Sequence, residues 1–154
     1  MPELTPGRLR ELLPETSMMM DATATDRDDA IRQAGEALVR SGAVDGGYIE
    51  AMLEREHTVT TYIGDGIAMP HGTVAAKNAV RSEALVLLRY PDGVDWNGDR
   101  VTLVLGVAAR DRRYIALISQ LAAVLLEPSR AAAMRGAETA EEVYAVFGAK
   151  TLAT

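Results

Sequence analysis

No cysteine occurs anywhere in the 154 residues, and aromatic side chains are scarce: one Phe, one Trp and five Tyr. The first absence excludes disulfides, thiolate metal sites and cysteine nucleophiles, and it suits a reducing compartment. Long hydrophobic runs are lacking as well. The longest, Ile115 to Leu126, is interrupted by Ser119 and Gln120 and falls short of the roughly 20 apolar residues that span a bilayer. No basic stretch followed by an apolar one opens the chain, so no signal peptide is visible. Positive charge is also in deficit, 16 Lys and Arg against 22 Asp and Glu, for a net charge of −6. A surface that neutralises a phosphate backbone needs the opposite balance, so nucleic acid is not an expected partner. The expected location is the cytoplasm, with no direct membrane insertion.

What is present is ordinary for a globular protein, 48% hydrophobic and 25% charged. The length suits one domain over residues 1–154 with a sizeable core, and no repeat or low-complexity linker divides it. Leu9, Leu12 and Leu13 suggest a short helix ended by Pro14, and the apolar segment Glu15 to Asp21 reads as a candidate strand. Thr25 or Asp26 can cap a helix in which Ile31, Ala34 and Leu38 recur at helical spacing, closed by Ser41-Gly42. A second helix, Gly47 to Glu56, turns Tyr48, Ile49, Met52 and Leu53 inward.

The period then changes. Thr58 to Tyr62 favours extended structure, and Gly66-Ile67-Ala68-Met69 reads as a short buried strand running into Pro70-His71-Gly72. Ala84 to Tyr90 and Val101 to Ala108 are near-continuous apolar runs, which implies strands covered on both faces. Between them, Pro91-Asp92-Gly93 and Asn97-Gly98 are turn signals. Asp111 can cap a helix with Ile115, Ile118, Leu121, Ala122 and Leu125 on its apolar face. Thr139 and Glu142 form a capping box opening a last helix that stops at Gly148. The pattern predicts an α/β fold, a mixed sheet with helices on both faces.

Chemistry concentrates on two histidines. His71 follows a stiff Pro70, which fixes its own φ, and precedes Gly72, which admits close approach. Its imidazole, with an ordinary pKa of about 6.5, is largely neutral at pH 7. A backbone bond to one ring nitrogen would aim the other as a nucleophile. A phosphoryl group there needs donors, for which Arg55 and the backbone N–H groups from Gly72 to Val74 are candidates. On the residues alone, a lone histidine after a strand is more often a hydrogen-bonded structural residue. Arg55, within Glu54-Arg55-Glu56, reads by itself as a solvated helix end, and His57 reads as surface. His57 and His71 match no metal-ligand spacing, and no dinucleotide or phosphate-loop fingerprint occurs, so neither metal nor cofactor is expected.

Several longer stretches carry a resemblance. Ala51-Met52-Leu53-Glu54-Arg55-Glu56, Tyr62-Ile63-Gly64 and Gly66-Ile67-Ala68-Met69-Pro70-His71-Gly72-Thr73 are joined by Tyr90-Pro91-Asp92-Gly93-Val94 and Leu105-Gly106-Val107-Ala108-Ala109-Arg110. With Asp29 to Gly35 they cover about residues 21–147. This set resembles the enzyme IIA domain of the mannitol/fructose branch of the bacterial phosphotransferase system, nearest the mannitol type. The resemblance implies a mixed sheet flanked by helices, with His71 as the phosphorylated histidine and Arg55 as the active-site arginine. It implies a histidine-containing phosphocarrier protein as phosphoryl donor and a cysteine of an enzyme IIB partner as acceptor, for uptake of mannitol or a related polyol or fructose. The alternative is a regulatory phosphoprotein of the same fold that does not serve transport. Two positions depart from the mannitol type. Tyr114 stands where a second active-site histidine is usual, and Ala75 stands where a glutamate is common. A Tyr114 hydroxyl could still donate to a phosphoryl oxygen, but it carries no switchable charge near pH 7.

Overall fold

The computed structural model describes residues 5–110 and 112–152, apart from the side chains at 74, 75, 77, 112–114 and 148–152. Five strands form one sheet, β1 (Met18–Met19), β2 (Tyr62–Gly64), β3 (Ile67–Ala68), β4 (Ala84–Trp96) and β5 (Asp99–Ala108), in the order β1-β4-β5-β3-β2. β4 and β5 are antiparallel, whereas β1 runs parallel to β4 and β3 parallel to β5. The sheet is therefore mixed, as expected.

Side chains alternate across the two central strands. Leu85, Leu87, Leu103, Leu105 and Val107 face one apolar cluster. Val86, Leu88, Val104 and Ala108 face another. The first cluster is completed by α1 (Pro6–Leu12), α4 (Arg112–Leu125), α5 (Pro128–Gly136) and α6 (Ala140–Leu152). The second is completed by α2 (Arg27–Arg40) and α3 (Gly47–Thr58). Burial on both faces explains why the strands read as continuous apolar runs.

Local chemistry sets the boundaries. Asp26 caps α2 by accepting from the Asp29 N–H at 2.8 Å. Thr139 caps α6 by accepting from the Glu142 N–H, as anticipated, while its hydroxyl rather than its backbone N–H donates to the Glu142 carboxylate, both at 3.2 Å. Asn97 and Gly98, with φ of 58° and 97°, close the β4–β5 hairpin between Trp96 and Asp99. Positive φ at both positions is what a two-residue turn of this twist demands.

Several expectations are corrected. Pro91-Asp92-Gly93 is not a turn between strands but an irregularity inside β4, where the pairing shifts between Arg89 and Val94. Arg100 donates to the Pro91 carbonyl at 3.1 Å and lies against Gly93. Turn-forming residues bend the chain locally, and here the partner strand continues past the bend. Thr58 still belongs to α3, the backbone is extended at Val59, and the paired strand begins only at Tyr62. Of the segment Glu15 to Asp21, Glu15–Ser17 is a 3-10 turn and only Met18–Met19 is strand. Ile115 is 62% exposed, whereas Leu121 and Leu125 are buried as expected, joined by Leu117 and Val124. Pro128 starts a helix that the pattern did not reveal, and α6 runs through Gly148 to Leu152, since one glycine weakens a helix without ending it. The Asp111 cap lies outside the described residues.

α2 sits unusually close to the sheet at Gly106. A methyl group there would come within 2.7 Å of Val86 and 3.2 Å of the Ala34 methyl. Gly106→Ala is expected to cost about 1–3 kcal/mol by overpacking, read as a lower urea midpoint. An unchanged midpoint would show that the Val86 side chain and α2 can both give way.

Candidate active site

β3 delivers the chain to Met69-Pro70-His71 beside the end of β5. The Val107 N–H donates to the Pro70 carbonyl at 2.9 Å, and His71 itself bridges Val107 in parallel register. The segment thus prolongs the sheet edge to the histidine before leaving it at Gly72. His71 is only 6% exposed.

Within this frame the imidazole orientation is set by one bond. Nδ1 lies 2.8 Å from the Met69 carbonyl oxygen, which can only accept, so Nδ1 carries the proton and Nε2 carries the lone pair. Burial pushes the His71 pKa down to about 4 because a cation is poorly solvated there. The bond to Met69 opposes that fall, the Arg55 charge adds to it, and the Glu56 charge opposes it. At pH 7 the ring is a neutral nucleophile with a defined tautomer.

Tyr48, in the first turn of α3, anchors the next step of the chain. Its hydroxyl donates to the Val107 carbonyl and accepts from the Gly72 N–H, both at 2.8 Å. A side chain at position 72 would strike the Tyr48 ring at 2.5 Å, so glycine is needed for this close approach. The Gly72 N–H, expected to face a phosphoryl group, is instead committed to Tyr48. The amphipathic pattern placed Tyr48 inward on its helix but gave no sign that its hydroxyl reaches the histidine loop.

Arg55 lies half-buried in the last turn of α3 and donates to the Val59 carbonyl at the helix exit. Its charge acts on His71, so the two expected site residues lie within electrostatic range of each other. A guanidinium has five N–H donors, and one bond to Val59 leaves the fork able to hold an anion. His57 is half-exposed and turned to Asp28 at 3.3 Å, away from this site. The Tyr114 and Ala75 side chains lie outside the described residues.

Glu56 corrects the reading of Glu54-Arg55-Glu56 as a solvated helix end. It is 3% exposed and accepts from Thr60 at 2.5 Å, the Thr61 N–H at 3.0 Å, the Thr61 hydroxyl, and Trp96 Nε1 at 3.1 Å. The signal was Glu56 followed four and five residues later by Thr60 and Thr61. Only the fold adds Trp96.

A neutral, oriented imidazole is chemically able to attack an electrophilic phosphorus, and a guanidinium within electrostatic range suits the resulting anion. Residues 11–150 match the family described as phosphoenolpyruvate-dependent sugar phosphotransferase system, EIIA 2. A mannitol-specific phosphotransferase enzyme IIA component of Staphylococcus aureus is 40% identical over 139 residues, 90% of this chain and 96% of that protein. The crystal structure of IIA mannitol from Escherichia coli matches with a TM-score of 0.77 at 36% identity, covering 86% of this chain and 96% of that one. The IIA in a complex with phosphorylated enzyme IIB of the mannitol system, also from Escherichia coli, gives 0.79 at 35% identity over 87% and 95%. The chain is thus a phosphotransferase component with an α/β fold. It belongs to the EIIA 2 family of the phosphoenolpyruvate-dependent sugar phosphotransferase system.

Two outcomes follow from the geometry. Tyr48→Phe leaves the Gly72 N–H without its acceptor, at an expected cost of about 1–3 kcal/mol, measured by denaturant unfolding; wild-type stability would show that the pair is dispensable. The second concerns pH. Unfolded His71 takes up a proton near 6.5 and the folded protein only near 4, so acid favours the unfolded state between those values. As pH falls from 6.5 to 4, wild type should lose up to about 3 kcal/mol relative to His71→Gln. Parallel stability curves for the two proteins would refute a buried, neutral His71.

Proposed function

We propose that this chain is a phosphocarrier for sugar uptake, in which His71 receives a phosphoryl group from the histidine-containing phosphocarrier protein. The lone pair on Nε2 forms the new P–N bond as the donor's P–N bond breaks and its electron pair returns to the donor imidazole. The phosphoryl group then leaves to the cysteine thiolate of an enzyme IIB partner, and the electron pair returns to Nε2. The observation that carries this reading is the Nδ1 bond to Met69, which leaves the neutral lone pair on Nε2 of a buried ring within electrostatic range of Arg55. Arg55 is proposed to hold the phosphoryl oxygens, for which a planar fork is better matched than an ammonium. Tyr114 enters as a hydroxyl donor on the resemblance alone. Mannitol is the proposed sugar, because three of the relatives at 35–40% identity are mannitol IIA proteins.

The test is to incubate the purified protein with the phosphorylated carrier, then with candidate IIB domains. Wild type and His57→Ala are expected to take up and pass on label, and His71→Ala to take up none. Arg55→Lys should slow transfer about tenfold, roughly 1.4 kcal/mol of barrier. Label retained by His71→Ala would overturn the assignment. Label taken up but passed to no IIB domain would favour a regulatory phosphoprotein instead.

A further inference from the structure

Glu56 is a buried carboxylate that the proposed phosphoryl transfer does not use, and its environment is specific. Among the described residues no cation lies within ion-pair distance of it. Four donors converge on its two oxygens instead. A carboxylate only accepts and can take all four. The Thr61 N–H and Trp96 Nε1–H can only donate, one to each oxygen, so a glutamine of the same shape would turn its NH₂ against one of them in either orientation, and plain packing does not explain a glutamate here. Taking a carboxylate out of water is costly unless it is fully bonded, and this one is gathered onto a single turn.

That turn leads to His71 in two further bonds. The Thr61 carbonyl accepts from the Met69 N–H at 3.0 Å. The Met69 carbonyl accepts from His71 Nδ1 at 2.8 Å. Glu56 Oε1 holds Thr61 by both its N–H and its hydroxyl. The other oxygen ties the same turn to Trp96 near the tip of the central hairpin. Thr61 cannot slide without breaking these bonds, and a displaced Thr61 carbonyl would release the Met69 peptide that selects the imidazole tautomer. We propose that Glu56 is a positioning residue for His71, clamping the Thr60–Thr61 turn so that the Met69 carbonyl holds the proton on Nδ1 and keeps Nε2 as the nucleophile. The helix-end triplet then has two jobs from adjacent residues, Arg55 facing the anion and Glu56 holding the frame behind the ring. The field of the Glu56 carboxylate adds to this. Once Nε2 bonds to phosphorus while Nδ1 keeps its proton, the ring is positive, and a buried negative charge behind it favours that state.

This inference rests on His71 as the phosphoryl acceptor, so its test needs one readout that does not depend on transfer. Nitrogen-15 NMR of the histidine rings at pH 7 distinguishes protonated from unprotonated ring nitrogens in the unphosphorylated protein. Wild type is expected to show His71 with Nδ1 protonated and Nε2 bare. Glu56→Gln is expected to show mixed tautomers and at least a tenfold slower uptake of label from the phosphorylated carrier. Thr61→Val, which removes only the hydroxyl, should shift both readouts in the same direction by a smaller amount, and it decides the matter if Glu56→Gln does not fold. Thr139→Ala, destabilised at the cap of α6 on the other face of the sheet, should keep the wild-type tautomer and rate. A single Nδ1-protonated tautomer together with a wild-type rate in both Glu56→Gln and Thr61→Val would overturn the role of Glu56 while leaving His71 as acceptor. If wild type took up no label at all, the acceptor reading would fail, and the tautomer populations would still decide whether Glu56 sets the ring.

Discussion

A single hydrogen bond, from Nδ1 of His71 to the Met69 carbonyl, is the constraint around which the site is arranged. A buried imidazole in an apolar setting has two neutral tautomers of similar energy and a third, charged, form that burial disfavours. The bond selects one of the three. For that choice to persist, the carbonyl must itself be immobile, and the surrounding structure is largely a set of restraints on the Met69 to Gly72 backbone. Val107 holds Pro70, Tyr48 holds Gly72, and Thr61 holds Met69.

These restraints come from separate parts of the chain and meet because of the sheet topology. β3 lies parallel to β5, so His71 emerges beside the end of a strand that is covered on both faces and cannot shift easily. α3 crosses behind the loop with Tyr48 at its start and Arg55 and Glu56 at its end. One helix thereby supplies the hydroxyl that pins the loop, a cation whose charge reaches the ring and the carboxylate that holds the following turn. Gly72 is required by the first of these, because the Tyr48 ring occupies the space that a side chain would need.

Electrostatics divides the work between neighbours. Arg55 disfavours a proton on His71 and Glu56 favours one, with burial the larger influence. The result is a ring that stays neutral over the physiological range while feeling the positive charge of an arginine. A charged ring would have no lone pair to offer, and an isolated neutral ring would have no counterion for a phosphoryl group.

The amino-acid order by itself determined the elements whose signals are local. The caps at Asp26 and Thr139, the Asn97-Gly98 hairpin and the doubly buried strands all depend on residues within a few positions of one another, and each was legible. The same holds for His71 between a rigid proline and a glycine, and for the family motif around it. What only the tertiary structure decided depends on residues brought from far apart. Whether Pro91-Asp92-Gly93 reverses the chain or merely bulges is set by the strand opposite. Which face of α4 is apolar is set by the sheet it packs against, and so Ile115 was misread. Glu56 looked like a surface charge because its helix end is rich in charge, and nothing local says that Trp96, forty residues on, completes its shell. Local propensity acts over a turn or two of chain, whereas burial and hydrogen-bond partners are properties of the assembled fold.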